Sequence, residues 1–137
     1  MKLELKIIAL CDYGMISQDG KLSVIGVFDE IGVTNFPGGI ARACFVATIQ
    51  GEPETEYKLN VKMIHPEGSK NPLNPLGVDV KTGRNGISNI LVQLVNVVFE
   101  TAGEYKLVLY HGDDRIGSTL FKVFHIKQQY GTNKKPN

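Results

Sequence analysis

Residues 102–126, AGEYKLVLYHGDDRIGSTLFKVFHI, contain the pattern that decides the fold. Tyr105, Leu107 and Leu109 recur at every second position, which is the period of a half-buried β-strand. A second apolar run follows after the short polar connection HGDD at residues 111–114. The two runs therefore predict the arms of a β-hairpin.

The four residues that open this stretch, Ala-Gly-Glu-Tyr, distinguish a sandwich from a barrel. They resemble the tyrosine corner of immunoglobulin-like sandwiches, in which a tyrosine hydroxyl bonds to the backbone a few residues upstream. We therefore expect Tyr105 to form such a corner. Many unrelated functions use this fold, so it predicts no activity.

The rest of the chain shows the same short period. Polar segments are expected as loops, one from Asp12 to Gly20 and another containing Phe36 and Gly39. Between the loops, the segment KLSVIGVF has apolar residues at both odd and even positions, so both faces of the strand would be apolar. This pattern predicts a strand covered on two sides. Together with the hairpin, the further strands make about eight and predict an all-β, antiparallel, immunoglobulin-like Greek-key sandwich. These further strands are expected near residues 3–9, 21–28, 43–49, 57–65, 76–81 and 87–99.

Residues Ile87 to Phe99 form the longest apolar run. Composition alone allows a buried strand or a short helix, and the content of valine and isoleucine favours the strand. Apolar residues occupy both odd and even positions, whereas a half-buried strand needs them only at alternate positions. We expect either a central strand or a face covered by a second subunit.

Length and charge place the chain among single soluble domains. Its 137 residues suit one domain, which we expect to span 1–128, followed by a polar tail at 129–137. The 15 basic and 14 acidic residues are interspersed, so neither a nucleic-acid nor a membrane partner is expected. Glu4 and Lys6 interrupt the apolar start, which argues against a secretion signal and makes the cytoplasm the expected location.

The residues that usually carry chemistry form no recognisable pattern. Three histidines, His65, His111 and His125, share no metal-ligand spacing, and the serines and cysteines lack a nucleophile motif. Cys11 and Cys44 are expected as two buried thiols, although their spacing leaves a disulfide open. We expect no enzyme activity, no cofactor and no bound metal.

The leading hypothesis is a non-catalytic interaction module that presents loops or a strand edge to another protein, or to a second copy of itself. A competing hypothesis is a ligand-binding or catalytic pocket formed by Asp12, Tyr13, His111 and Asp113. A third is a calcium site, should Asp12 and Asp19 meet the aspartates of the 111–114 connection. The candidate loop surface comprises Asp12, Tyr13, Asp19, Phe36, His111, Asp113 and Asp114.

The stretch from Asp12 to Pro37, with DY, DGKLSVIGVFDEI and NFP, resembles the opening of an uncharacterised bacterial and archaeal family of small β proteins, a domain of unknown function. The resemblance continues through HPEG to GEYKLVLYHGDDRIGSTLFKV and covers nearly the whole chain. Cys11 and Gly14 stand where the family pattern would have alanine. The resemblance implies the β fold and no activity, cofactor or partner.

Overall fold

Alternating apolar side chains give each strand a face that must leave water, and two sheets bury these faces against each other. The computed structural model describes residues 2–127, and the predicted tail at 129–137 lies outside them. No helix in the described range is long and apolar enough to cross a membrane. The strands are β1 (Glu4–Ile16), β2 (Leu22–Val27), β3 (Glu30–Val33), β4 (Gly38–Gln50), β5 (Glu56–Ile64), β6 (Leu76–Lys81), β7 (Ile87–Phe99), β8 (Gly103–His111) and β9 (Asp114–His125).

The strand order confirms the predicted immunoglobulin-like sandwich. One sheet has the order β2-β1-β4-β7 and the other β3-β9-β8-β5-β6, so the chain crosses repeatedly between the layers. Nine strands are described where about eight were predicted. The additional strand is β3, whose four residues the sequence pattern left in a loop. It pairs parallel to β9, so the sandwich is not antiparallel throughout.

The tyrosine corner predicted at Tyr105 is present. Its hydroxyl donates a hydrogen bond of 2.7 Å to the carbonyl of Thr101 in the connection between β7 and β8. The ring is buried between Phe99, whose centroid is 4.9 Å away, and Phe121, whose centroid is 5.6 Å away. The corner therefore joins the end of one sheet to the start of the other.

Strand β1 is longer than the alternation at its start predicts. Asp12, Tyr13 and Gly14 belong to this strand, so the loop predicted to begin there is wrong. From Glu4 to Cys11, β1 pairs with β4, and from Cys11 to Ile16 it pairs with β2. The first part of β1 therefore pairs with β4, and its second part forms a hairpin with β2.

The β1–β2 hairpin bends away from the rest of the four-stranded sheet and lies over the outer face of β4 and β7. A Cβ on Gly14 would stand 3.0 Å from Val46 Cγ1 and 3.2 Å from Leu91 Cδ1, so glycine permits this close approach. At the tip, the side-chain amide of Asn89 donates a 3.0 Å hydrogen bond to the carbonyl of Gly20. A second small core forms under the hairpin from Cys11, Cys44 and Val46, with Ala9, Leu22, Val24 and Leu91 around it.

The arrangement of β2 differs from the prediction. The strand is not covered on two sides, because apolar side chains on one of its faces remain in contact with water, and it also lies at an edge of its sheet. Val24 packs toward the small core beneath the hairpin, whereas Ile25 and Val27 are exposed. The extra apolar residues of β2 therefore form surface.

Residues Ile87 to Phe99 form a strand, as predicted, but not a central one. Strand β7 pairs with β4 along its whole length and is an edge of the four-stranded sheet. Gly39, predicted in a loop, lies within β4, where a Cβ would come within 1.8 Å of the Val97 carbonyl oxygen. Asn96 has a φ of 53°, which interrupts the extended backbone of β7 near its end.

Candidate functional site

The seven residues of the predicted loop surface lie at three separate places. Asp12, Tyr13 and Asp19 belong to the β1–β2 hairpin, on the outer side of the four-stranded sheet. Phe36 packs against the core near His125, at the far end of β9. The structure brings the remaining three together at the β8–β9 turn, and they are His111, Asp113 and Asp114.

The pocket hypothesis required Asp12 and Tyr13 to meet His111 and Asp113. The structure separates these two pairs, because the first lies in the hairpin and the second at the end of the five-stranded sheet. The same separation keeps the four aspartates of the calcium hypothesis apart. Among residues 2–127, no group of three or more histidine, cysteine or acidic side chains could hold a metal ion.

His111 does border a groove at the end of the five-stranded sheet. The groove has a volume of about 680 Å³, and the His111 ring meets the edge of Tyr57 with centroids 5.5 Å apart. No buried side-chain nitrogen or oxygen in the described part of the chain lacks a hydrogen-bond partner. The groove is therefore large enough for a small ligand but offers no unsatisfied buried group to fix one. Its other lining residues are Glu56, Lys58, Asp79, Val80 and Lys81.

Cys11 and Cys44 are both free thiols, and they stand directly opposite each other on β1 and β4. The Cys11 thiol donates a weak hydrogen bond of 3.5 Å to the Cys44 carbonyl. Burial, followed by the neighbouring Cys44, raises the pKa of Cys11, so this thiol is protonated at neutral pH. The pair contributes apolar packing under the hairpin rather than a reactive thiolate.

The outer surface around the four-stranded sheet is unusually apolar. Tyr13, Met15, Ile25 and Val27 are exposed on the hairpin. Val95 and Val98 of β7 are 59% and 50% exposed. The sequence indicated this surface only in part, because apolar residues occupy both odd and even positions in the segments that form β2 and β7.

Strand β7 is distinctive among the four edge strands of the described sheets. None of its thirteen residues is charged, and none is proline. The other edges are interrupted: β6 carries Asp79 and Lys81, β3 has four residues and carries Glu30, and β2 has Gly26 at a φ of 73°. Charge, shortness and irregular backbone are the features that usually prevent strand edges from pairing with another chain. Strand β7 is neither charged nor short, and its backbone is irregular only at Asn96.

The outer face of the five-stranded sheet is mixed, because exposed Ile64, Leu120 and Phe124 lie among its charged side chains. Strand alternation places four lysines on the outer face of the five-stranded sheet. One of them, Lys62, lies over the ring of Tyr110 at 5.0 Å. The two outer faces therefore differ in charge, and the one that ends in the uncharged strand β7 is the better candidate for protein contact. The four lysines are Lys58, Lys62, Lys106 and Lys122.

Similar solved structures include an immunoglobulin-like protein from Pseudomonas aeruginosa, at 13% identity, covering 90% of this chain and 97% of that chain, with a TM-score of 0.47. They also include a GH3 beta-glucosidase from Bifidobacterium adolescentis, at 12% identity and a TM-score of 0.49. That similarity covers 89% of this chain, which spans 17% of the length of the glucosidase chain. A search of curated proteins found no match. A family model described as Family of unknown function (DUF6941) matches residues 6–124.

Proposed function

The chain belongs to the Family of unknown function (DUF6941), and we propose that it is a non-catalytic interaction module that binds another protein chain through the free edge of β7. The observation that carries this proposal is the uncharged, proline-free edge of thirteen residues. An unpaired edge presents a row of backbone N–H and C=O groups, which another extended segment can satisfy by adding a strand.

The side chains next to the edge support the same conclusion. Val95 and Val98 lie beyond the reach of the hairpin and remain exposed, while Leu91 is partly covered by it. A bound strand would cover part of the exposed surface of this region, chiefly at Val95, and would contribute about 25 cal/mol per Å² of apolar surface buried. Backbone pairing and apolar burial thus favour the same position for a partner.

Enzyme activity receives less support from the described residues. The groove at His111 mixes carboxylates and lysines and lacks a paired nucleophile and base. Cys11, whose pKa is raised, is enclosed beneath the hairpin. Neither place offers the activated group that catalysis requires.

Binding through β7 can be tested with three forms of the full chain: wild type, Val95→Glu and the control Leu120→Glu. Leu120 is 43% exposed on β9, in the other sheet, so its substitution tests the effect of a new surface charge alone. A binder captured by the wild type should be purified and titrated by calorimetry. We expect Val95→Glu to weaken binding about tenfold or more, because a charge would be desolvated at the interface, and Leu120→Glu to leave it unchanged.

Amide hydrogen exchange supplies the second readout. Binding should slow exchange in residues 87–95 of the wild type more than elsewhere in the chain. Equal weakening by both substitutions, or protection confined to the five-stranded sheet, would show that β7 is not the binding edge.

A further inference from the structure

We infer that the partner strand at β7 is the β7 strand of a second copy of this chain, paired antiparallel across a two-fold axis. This inference rests on the proposed function and names its partner. Identical strands related by a two-fold axis normal to the sheet run antiparallel, and each contact then occurs twice. Two four-stranded sheets would become one continuous sheet of eight strands.

The backbone of β7 suits such pairing up to Asn96. From Ile87 to Val95 no residue has a positive φ, and Asn96 at 53° ends the regular stretch. Like charges placed directly opposite one another would destabilise an antiparallel pair. Because β7 carries no charge, two copies can meet in any antiparallel register without this penalty.

The side chains at the two ends of this stretch are complementary. The hairpin tip lies at the Asn89 end, where Asn89 bonds the carbonyl of Gly20, and Ile16 at that tip is 43% exposed. Val95 and Val98 are the exposed apolar residues of the other end. Among the possible antiparallel registers, the one centred on residue 92 places Asn89 of one copy opposite Val95 of the other. The hairpin tip of each copy then lies beside Val95 of its partner, and the two-fold axis repeats this contact.

This complementarity favours a second copy over an unrelated strand. Any extended peptide could satisfy the free backbone groups of β7. A second copy also carries a hairpin tip at the position needed to cover Val95, while its own Val95 is covered by the first tip. The strand pair alone is narrow, and stable interfaces bury roughly 1,200–2,000 Å² in total. The two hairpin contacts extend the interface on both sides of the strand pair.

The mass of the purified full chain should therefore depend on concentration. Sedimentation equilibrium from about 1 µM to about 1 mM, the range in which moderate affinities are resolved, should show conversion to twice the monomer mass. Hydrogen exchange in residues 87–95 should slow over the same range. A monomer throughout would overturn the inference without any need for a variant.

Charge substitutions test which residues meet. Val95→Glu and Ile16→Lys should each raise the dimer dissociation constant about tenfold or more, whereas Leu120→Glu should not change it. An equal mixture of Val95→Glu and Ile16→Lys chains should recover dimer, because one of the two contacts then pairs Glu with Lys and the other remains apolar. Single variants that dissociate and do not recover on mixing would show that Ile16 does not meet Val95. Unfolding free energies within about 1 kcal/mol of wild type confirm that each variant is folded.

The outcomes separate this inference from the proposed function. A monomeric chain that binds a different protein through residues 87–95 overturns the second copy and leaves the interaction module in place. A monomeric chain for which no partner protects β7 overturns both. A dimer that Val95→Glu dissociates supports both.

Discussion

At the scale of single residues, Tyr105 contacts both sheets. Its hydroxyl bonds the Thr101 carbonyl at 2.7 Å, and its ring packs between two phenylalanines. Tyr105→Phe keeps the ring and removes the hydroxyl, leaving a partly buried carbonyl unpaired. We expect the free energy of unfolding in urea to fall by about 1–3 kcal/mol.

The matched control is Tyr110→Phe on the same strand. The Tyr110 ring contacts Lys62 at the surface, so losing its hydroxyl should cost less than about 0.5 kcal/mol. If both variants lost the same free energy of unfolding, the hydrogen bond of Tyr105 would contribute no more to stability than the surface hydroxyl of Tyr110. Tyr105 was predictable because a short motif, Gly-Glu-Tyr before an alternating strand, specifies this local geometry.

The contribution of the buried Cys11 thiol to the free energy of unfolding should depend on pH. Burial and the neighbouring Cys44 raise its pKa above the ordinary value of 9.0, so in alkaline solution the unfolded chain loses this proton before the folded chain does. Stability from the buried neutral thiol is therefore complete below about pH 9 and decreases as pH rises toward the folded-state pKa. We expect the unfolding free energies of wild type and Cys11→Ala to converge between pH 8 and about pH 10.5.

The measurement is a series of urea titrations at increasing pH. Tyr105, whose pKa is also raised by burial, loses its proton in both chains and cancels in the comparison. A difference between the two chains that stays constant over the whole range would contradict the prediction. The prediction that the two cysteines are buried, unpaired thiols is confirmed, because both are free and buried.

At the scale of elements, the β1–β2 hairpin is held by a few specific contacts. Asn89 accepts a 2.6 Å hydrogen bond from Thr48 and donates one of 3.0 Å to Gly20, so it fixes the tip to the sheet. Asn89→Ala removes both bonds while leaving the small apolar core beneath the hairpin intact. We expect hydrogen exchange in residues 14–24 to accelerate about tenfold, the factor given by about 1.4 kcal/mol.

Exchange in β8 is the internal control for this variant. Strand β8 is paired on both sides, with β5 and β9, and does not touch the hairpin tip, so its protection should change little. Acceleration of equal size in β8 would mean that the whole sandwich is destabilised and the hairpin does not open as a unit.

Only part of the β1–β2 hairpin could be predicted from the sequence. Alternation identified the start of β1, and the turn at Asp19-Gly20 was located correctly between its two arms. The pattern gave no sign that Asp12 would lie in a strand, with its side chain close to Gly26, because aspartate followed by Tyr-Gly is typical of turns. Folding across the sheet depends on Gly14 and Val46, which are distant in sequence, and no local period reports such a contact.

For β7, which carries the candidate site, the sequence predicted a strand but not its position in the sheet. Its type was predictable from its valines and isoleucines, and its surplus of apolar residues indicated a second contact. Whether that surplus marks a central or an edge strand depends on strand order. Strand order follows from packing of the whole chain, which explains why β7 was left with two possible positions and why the seven loop residues were expected to share one surface.

At the scale of the whole molecule, the two outer faces predict how association responds to salt. The chain has a net charge of +1, and four of its lysines lie on the outer face of the five-stranded sheet, whereas β7 is uncharged. At the hairpin tip, Lys21 pairs with Asp19 of the same chain at 3.4 Å, so this pair adds no net charge beside the exposed apolar side chains. Salt screens charge–charge attraction and has little effect on backbone pairing. We therefore expect the dissociation constant of association through β7 to change less than about twofold between roughly 0.05 and 0.5 M sodium chloride. The pair formed by mixing Val95→Glu with Ile16→Lys chains is the contrasting case, because its new ion pair should weaken as salt rises. Wild-type association that weakens tenfold over the same range would instead show that pairs of opposite charges, and not β7, carry the contact.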